Sequence, residues 1–521
     1  MSDEPRESGS EDQRVQLTRG ASYLIMQNLG GSAVAVAAFA VLARLISTKE
    51  MGILAILQLV NATCLTFGTW FPTSVTKFVA ENSSRGLKDV AAAAFYQALS
   101  ANLFFCIPVA IGIYVGAPFF AYHLLGDMLY ASLFRVFAFD VFFFEGMLPI
   151  LTAALFGLRM FRETAVVGLV IGGLARQSLV ISLLILLRNF VGLPIGWLIS
   201  DAVTAVIYLA LTTRALGSPR FDFPLGKLFR FYLPLKLSSI VVYAKTWFDR
   251  ALLAAFVSLT ALGVYNAAVT AYGVVGGVSS VMISILFPAF SSIHDWTDGQ
   301  RKLREAIRLS TRYACFIVTL VDLLLLATAK AALTLFVGDS YIGGYWPLVI
   351  FCVADAVTAF ATVLGPALLA LEETNMVAVI AITSAAVGLG GAYVLLPEFG
   401  IVGASIGRAV AITLSAILQF LILKTLIGLK LNFRMLAKTI VAGATMAAVV
   451  VVVQMVGYSK FLLPLYATIG VMIYLIMFRL LKLVDSDDLL LLRRFLGKRL
   501  LPISDILGFI LLDPASRDVA K

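Results

Sequence analysis

Hydropathy along this chain crests about fourteen times, and each crest is long enough to cross the hydrocarbon of a bilayer as an α-helix. The crests run near 20–46, 50–79, 89–117, 129–157, 164–187, 193–213, 229–257, 260–290, 304–328, 345–370, 375–396, 401–424, 435–456 and 461–481. No other feature constrains the fold as much. Hydrophobic residues make up 60% of the chain, charged residues only 13%, and the mean hydropathy is +0.97. A soluble domain carries about 25% charge. The sequence therefore predicts an all-α polytopic membrane protein with about fourteen transmembrane helices.

The links between crests are short, and none has room for a globular catalytic domain. Cys64, Cys106, Cys315 and Cys352 lie in apolar stretches at unrelated spacings, and His123 and His294 have no companions. The sequence thus offers no disulfide framework, metal site or cofactor motif, and the expectation is a protein that is not an enzyme. The formal net charge is +10, with the basic residues bordering the spans. Anionic lipid headgroups are the partner this implies, not nucleic acid.

Lys and Arg also set the expected orientation. They collect in alternate connections: Lys77, Arg85 and Lys88; Arg214, Arg220, Lys227 and Arg230; Arg301, Lys302, Arg304, Arg308 and Arg312; Lys424, Lys430, Arg434 and Lys438. By the positive-inside rule these segments and both termini are cytoplasmic. Residues 1–18 are polar and read as a disordered cytoplasmic tail. Residues 484–521 begin with a basic amphipathic stretch that reads as an interfacial helix in a cytoplasmic tail.

One span is unusual. Phe231–Leu259 carries Lys236, Lys245, Asp249 and Arg250. An unpaired charge at such depth costs about 2.5–3.5 kcal/mol or more, so it needs a partner, a wet cavity or a ligand. At about 100° per residue, Lys236, Tyr243 and Arg250 fall on one stripe, which reads as a cationic wall. Lys245 and Asp249 share another face and are placed to neutralise each other. Arg135, Asp140, Glu145 and Arg176, on neighbouring spans, read as an ion-pair cluster. Tyr23, Gln27, Asn28, Gln58 and Asn61 add polar positions to the first two spans, and Gly30, Gly31, Gly273, Gly276 and Gly277 read as sites of close helix packing.

The chain also repeats itself at an offset of about 210 residues. LARLISTKEMGILA (42–55) resembles LAAFVSLTALGVYNA (253–267), so that Ser47 and Gly52 match Ser258 and Gly263. AALFGLRMFRET (153–164) resembles ALLALEETN (367–375), and GWLISDAV (196–203) resembles GASIGRAV (403–410). An even number of spans separates the matches, so the halves run parallel. This divides the chain into a first lobe (19–215), a second lobe (216–428) and two further spans (429–483). Asp201 and Arg408 take equivalent positions, and two readings stay open: a pair across the lobes, or separate partners within each.

These motifs carry a resemblance. ARLISTKEMGI, FDRALLAAFVSLTALGVYNAA, LFPAFS, LFGLRMF and LPEFGIVGASIGRAVA are similar to segments of the multidrug/oligosaccharidyl-lipid/polysaccharide (MOP) exporter superfamily, nearest its polysaccharide transporter (Wzx-type) branch. The resemblance implies two parallel six-helix lobes plus two C-terminal helices. It also implies a flippase that moves a polyprenyl-(di)phosphate-linked oligosaccharide to the outer leaflet of the cytoplasmic membrane by alternating access, for cell-surface polysaccharide or glycoprotein assembly. Its partners would be the lipid-linked oligosaccharide, membrane lipids and glycan-assembly proteins.

An anionic headgroup with hydroxyl-rich sugars calls for cations and hydrogen-bond donors. Lys236, Arg250 and Tyr243 are the first candidates, then Arg44, Arg408 and Asp201. The rival reading is a cation-coupled (H+ or Na+) multidrug exporter of the same superfamily, which wants an acid in its cavity. The first span has none, and Asp322 and Asp355 are the candidate ion-coupling residues.

Overall fold

The computed structural model describes residues 7–294 and 299–484. The described residues are almost wholly helical. In chain order the α-helices are α1 Glu7–Leu45, α2 Thr48–Gly68, α3 Pro72–Ser84, α4 Lys88–Val115, α5 Ala117–Leu125 and α6 Ala131–Val141. Then come α7 Leu148–Gly157, α8 Phe161–Leu169, α9 Arg176–Leu187, α10 Gly192–Leu216, α11 Leu225–Phe256 and α12 Leu259–His294. They end with α13 Gly299–Phe336, α14 Tyr345–Thr358, α15 Ala361–Ala370, α16 Thr374–Ile427, α17 Phe433–Val456 and α18 Leu463–Leu480.

Among the described residues, eleven stretches are long and apolar enough to span a bilayer, or twelve if the two parts of α12, bent by 46°, form one span. The expected fourteen is not reached by that measure, for identifiable reasons. The charges of α11 take it out of the apolar class. The 54-residue α16 holds a kink at Gly400, whose φ of 53° and ψ of −131° interrupt the helix where two spans were expected to meet. A β-carbon would be strained in that conformation.

Four expected spans are interrupted, among them 345–370, which divides at Ala359–Phe360 into α14 and α15. Span 50–79 breaks at Thr69–Phe71 into α2 and α3, with Phe71 at φ 73° and Pro72 opening the next helix. Pro suits that first helical position because it has no N–H to satisfy. Phe142–Met147 joins α6 to α7, and Val170–Ala175 joins α8 to α9, each as a wide π-turn. The start of α1 at Glu7 lies inside the stretch expected to be a disordered tail. The expected interfacial helix after residue 484 lies outside the described residues.

The chain forms two compact units, Met1–Gly263 and Val264–Lys521. The division falls later than the expected 215/216 boundary because α11 packs on α2, α3 and α4. The first unit has an aromatic core: Phe71, Phe95 and Tyr232 are buried, with Trp70, Phe105 and Phe229 against them. In the second, one cluster around Leu303, Leu364 and Leu423 joins α13, α15 and α16. Another, around Phe316, Met446 and Tyr474, fastens α17 and α18 to α13.

The repeated motif has a physical counterpart. Ser47 caps α2 by accepting the Glu50 N–H at 3.2 Å, and Ser258 accepts the Ala261 N–H at 3.3 Å before α12. A β-carbon on Gly52 would lie 1.9 Å from the Leu259 carbonyl oxygen, and one on Gly263 would lie 2.0 Å from that of Thr48. The two helix starts thus meet through backbone, each in the other's place. Arg159 and Glu372, both in the second matched pair of segments, share a left-handed φ near 60° (59° and 60°). Close packing also holds for Gly30, whose β-carbon would meet Leu169 at 3.2 Å. It does not hold for Gly31, Gly273, Gly276 and Gly277, which have nothing within 4 Å among the described residues.

Candidate functional site

The first unit buries a polar network built on two helix defects. The break after α2 leaves carbonyls near Thr69 without helical partners, and the π-turn after α6 does the same at Glu145 and Gly146. Asn102 of α4 bridges the defects. Its amide donates to the Glu145 and Gly146 carbonyls at 3.1 and 2.8 Å, while its side-chain oxygen accepts the Trp70 N–H at 2.5 Å. Thr69 donates to the Glu145 carbonyl at 3.2 Å, with a Glu145 carboxyl oxygen at 3.3 Å.

Lys236 enters this network from α11. It is 3% exposed, its ammonium donates to the Thr69 carbonyl at 2.6 Å, and it lies 4.7 Å over the Trp70 ring. A cation at the carbonyl end of a helix is favoured by the dipole as well as by the hydrogen bond. Lys236 is thus an internal part of the first unit, unlike the expected wall residue. Tyr243, seven residues on, also faces α2: its hydroxyl is 2.6 Å from that of Thr63 and its ring meets Phe67 edge-on. Arg250 is half-buried over the Trp247 ring at 4.5 Å, and the buried Asp249 accepts the Arg250 backbone N–H at 2.8 Å. The stripe exists, and its first two members are engaged by α2.

The acids of the network converge from α6, the π-turn and α10. Asp140, Glu145 and Asp201 are all buried. Arg176 lies 3.0 Å from the Asp201 carboxylate and rests between the Phe144 and Trp197 rings, 5.3 Å from each. The Asp140 carboxyl reaches that of Asp201 and has no other hydrogen-bond partner among the described residues. Asp201 therefore has a cation, Arg176, within the first unit. Arg135 is exposed and does not join the expected cluster. Sequence reading missed Asp201 and Lys236 as members of this network. The available signal was weak: Asp201 and Arg176 are both intramembrane charges on adjacent spans.

The second unit holds a sparser group. Asp322 of α13 is fully buried, and neither carboxyl oxygen has a hydrogen-bond partner among the described residues. Asp355 of α14 is half-buried and shares a hydrogen bond with the Tyr272 hydroxyl. Tyr272 packs on Phe351 at 5.5 Å, and the Arg408 guanidinium lies 5.6 Å over the same ring. Arg44 is exposed in the last turn of α1. Among the described residues no group of His, Cys, Asp and Glu is arranged to hold a metal ion.

The family model for polysaccharide biosynthesis proteins matches residues 17–294, more than half of the sequence. The chain belongs to the polysaccharide biosynthesis protein family. Among curated relatives of this family member is the probable low-salt glycan biosynthesis flippase Agl15 of Haloferax volcanii, 22% identical over 249 residues. That match covers 47% of this chain and 52% of Agl15, so the chain spans about half the length of the curated relative it matches. Among solved structures, the lipid II flippase MurJ in an inward closed conformation superposes with a TM-score of 0.67 at 11% identity, covering 87% of this chain and 98% of MurJ. An inward-facing multidrug resistance MATE transporter of the MOP superfamily gives 0.63 at 16% identity, covering 76% and 94%. The family member therefore has the MOP fold, as a multi-pass membrane protein.

Proposed function

We propose that the chain is a flippase that carries a lipid-linked oligosaccharide to the outer leaflet of the cytoplasmic membrane by alternating access. The observation that carries this is membership of the polysaccharide biosynthesis family joined to a MOP fold. The names of Agl15 and MurJ, a glycan biosynthesis flippase and a lipid II flippase, support the same substrate class.

In this reading Arg44, Arg250 and Arg408 are each, separately, candidate contacts for an anionic headgroup, because their guanidinia keep some exposure while suiting bidentate phosphate contacts. Lys236 and Asp201 act from inside, holding α11 and α10 in register. Tyr243 fixes α11 against α2. Asp322 and Asp355 form the ion-coupling site: a bare carboxylate at that depth costs several kcal/mol, so proton or cation uptake there is tied to the surroundings of α13 and α14.

The test is transport in liposomes of a fluorescent polyprenyl-diphosphate oligosaccharide, read by quenching from outside. The wild-type chain should move the probe between leaflets, and Arg250→Ala should reduce movement at least tenfold with unchanged insertion. Equal movement by both would remove Arg250 from the path. Movement of cationic dyes with none of the glycolipid would replace this reading by drug export.

A further inference from the structure

The second unit carries a cavity that neither the fold nor the flippase reading uses. It has a volume of about 510 Å³ and lies where α13, α17 and the residues after α18 meet. Among the described residues, five basic residues line it, Arg308, Arg312, Arg434, Lys438 and Lys482, together with the carboxylate of Glu305. Leu309, Met435 and Leu483 supply an apolar wall.

The basic residues divide by task. Arg312 and Lys438 are half-buried and donate to the Leu483 and Leu481 carbonyls at 2.5 and 2.7 Å, so they close the end of α18. Arg308 and Arg434 are exposed. The start of α17, where Asn432 accepts the Met435 N–H at 3.1 Å, adds the positive end of a helix dipole. Arg308 of α13 and Arg434 of α17 thus line one cavity from separate helices, and two like charges so placed favour an anion there.

We infer that this cavity binds the phosphate headgroup of an anionic membrane lipid. Three features select a lipid over a soluble anion. The cavity lies at the ends of three membrane helices, its basic residues sit on the side that the Lys and Arg excess assigns to the inner leaflet, and its apolar wall suits the first carbons of a lipid chain. Two guanidinia from separate helices match the paired oxygens of a phosphate or diphosphate. Such a ligand would tie α17 and α18 to α13. The inference concerns binding alone and stands whether or not the chain flips glycans.

The experiment is native mass spectrometry of the full chain in detergent, with phosphatidylglycerol, geranylgeranyl diphosphate or phosphatidylcholine added. The wild-type chain should retain the two anionic lipids and not phosphatidylcholine. Arg308→Gln with Arg434→Gln should weaken retention about tenfold, the loss of two charge-assisted contacts. Arg308→Lys with Arg434→Lys should keep most of it. Glu305→Gln should strengthen retention about threefold by removing a negative neighbour. That last variant tests the site even if the double Gln variant folds poorly. Preference for geranylgeranyl diphosphate assigns the site to a diphosphate lipid, and preference for phosphatidylglycerol assigns it to resident phospholipid. Equal retention of anionic and neutral lipids, or retention unaltered by both Gln variants, overturns the inference.

Discussion

Asp201 and Glu145 of the first unit and Asp322 of the second bury their carboxyl groups in contrasting ways. In the first, Asp201 has Arg176 at 3.0 Å, Glu145 has Thr69, and Lys236 stands on the Thr69 carbonyl beside them. In the second, Asp322 is just as buried, yet neither of its oxygens has a hydrogen-bond partner among the described residues. A buried charge with partners is a structural element whose removal leaves something else bare. A buried acid without them adds little to the fold, so its presence calls for another reason. On the proposed reading, the contrast separates Asp201 and Glu145, which build the first unit, from Asp322, the candidate for ion coupling.

The strongest way to break that contrast is Asp201→Ala. It leaves the Arg176 guanidinium buried without its carboxylate and should cost about 3–5 kcal/mol, read as loss of folded protein in a thermal-shift or detergent-extraction assay. Combining it with Arg176→Met should recover most of the loss; no recovery would mean that the pair is not the source. Lys236→Met should cost less, about 2–3 kcal/mol, because a carbonyl loses a charged donor but keeps the Trp70 packing. Replacement of Tyr243 by Phe removes one hydroxyl contact with Thr63 and should cost about 1 kcal/mol in the same assay. At the other extreme, Asp322→Asn should leave the melting temperature unchanged or raise it while abolishing gradient-driven transport in liposomes. A stability loss matching that of Asp201→Ala would erase the distinction between the units.

The helical class and the layout of spans were legible because hydropathy reports burial in lipid directly. The kink at Gly400 fell between two expected spans, and Ser47 and Ser258 were matched before their caps were visible. The interior of the site was not legible. A π-turn inserts one residue without altering composition, so nothing in FFFEGM marks the place where Glu145 frees its carbonyl. Helical phase put Lys236 correctly on a stripe with Tyr243 and Arg250, but the stripe's neighbour was invisible. Only the break at Thr69, signalled faintly by Pro72, turns that face from a wall into a joint.

The reciprocal approach of Gly52 and Gly263 carries a genetic consequence. One methyl at either position must pry the same two backbones apart, and a second methyl then enters space already opened. Alanine at both glycines should harm the protein scarcely more than alanine at one, an epistasis that ties residues 211 positions apart, 263 minus 52, into one heritable unit.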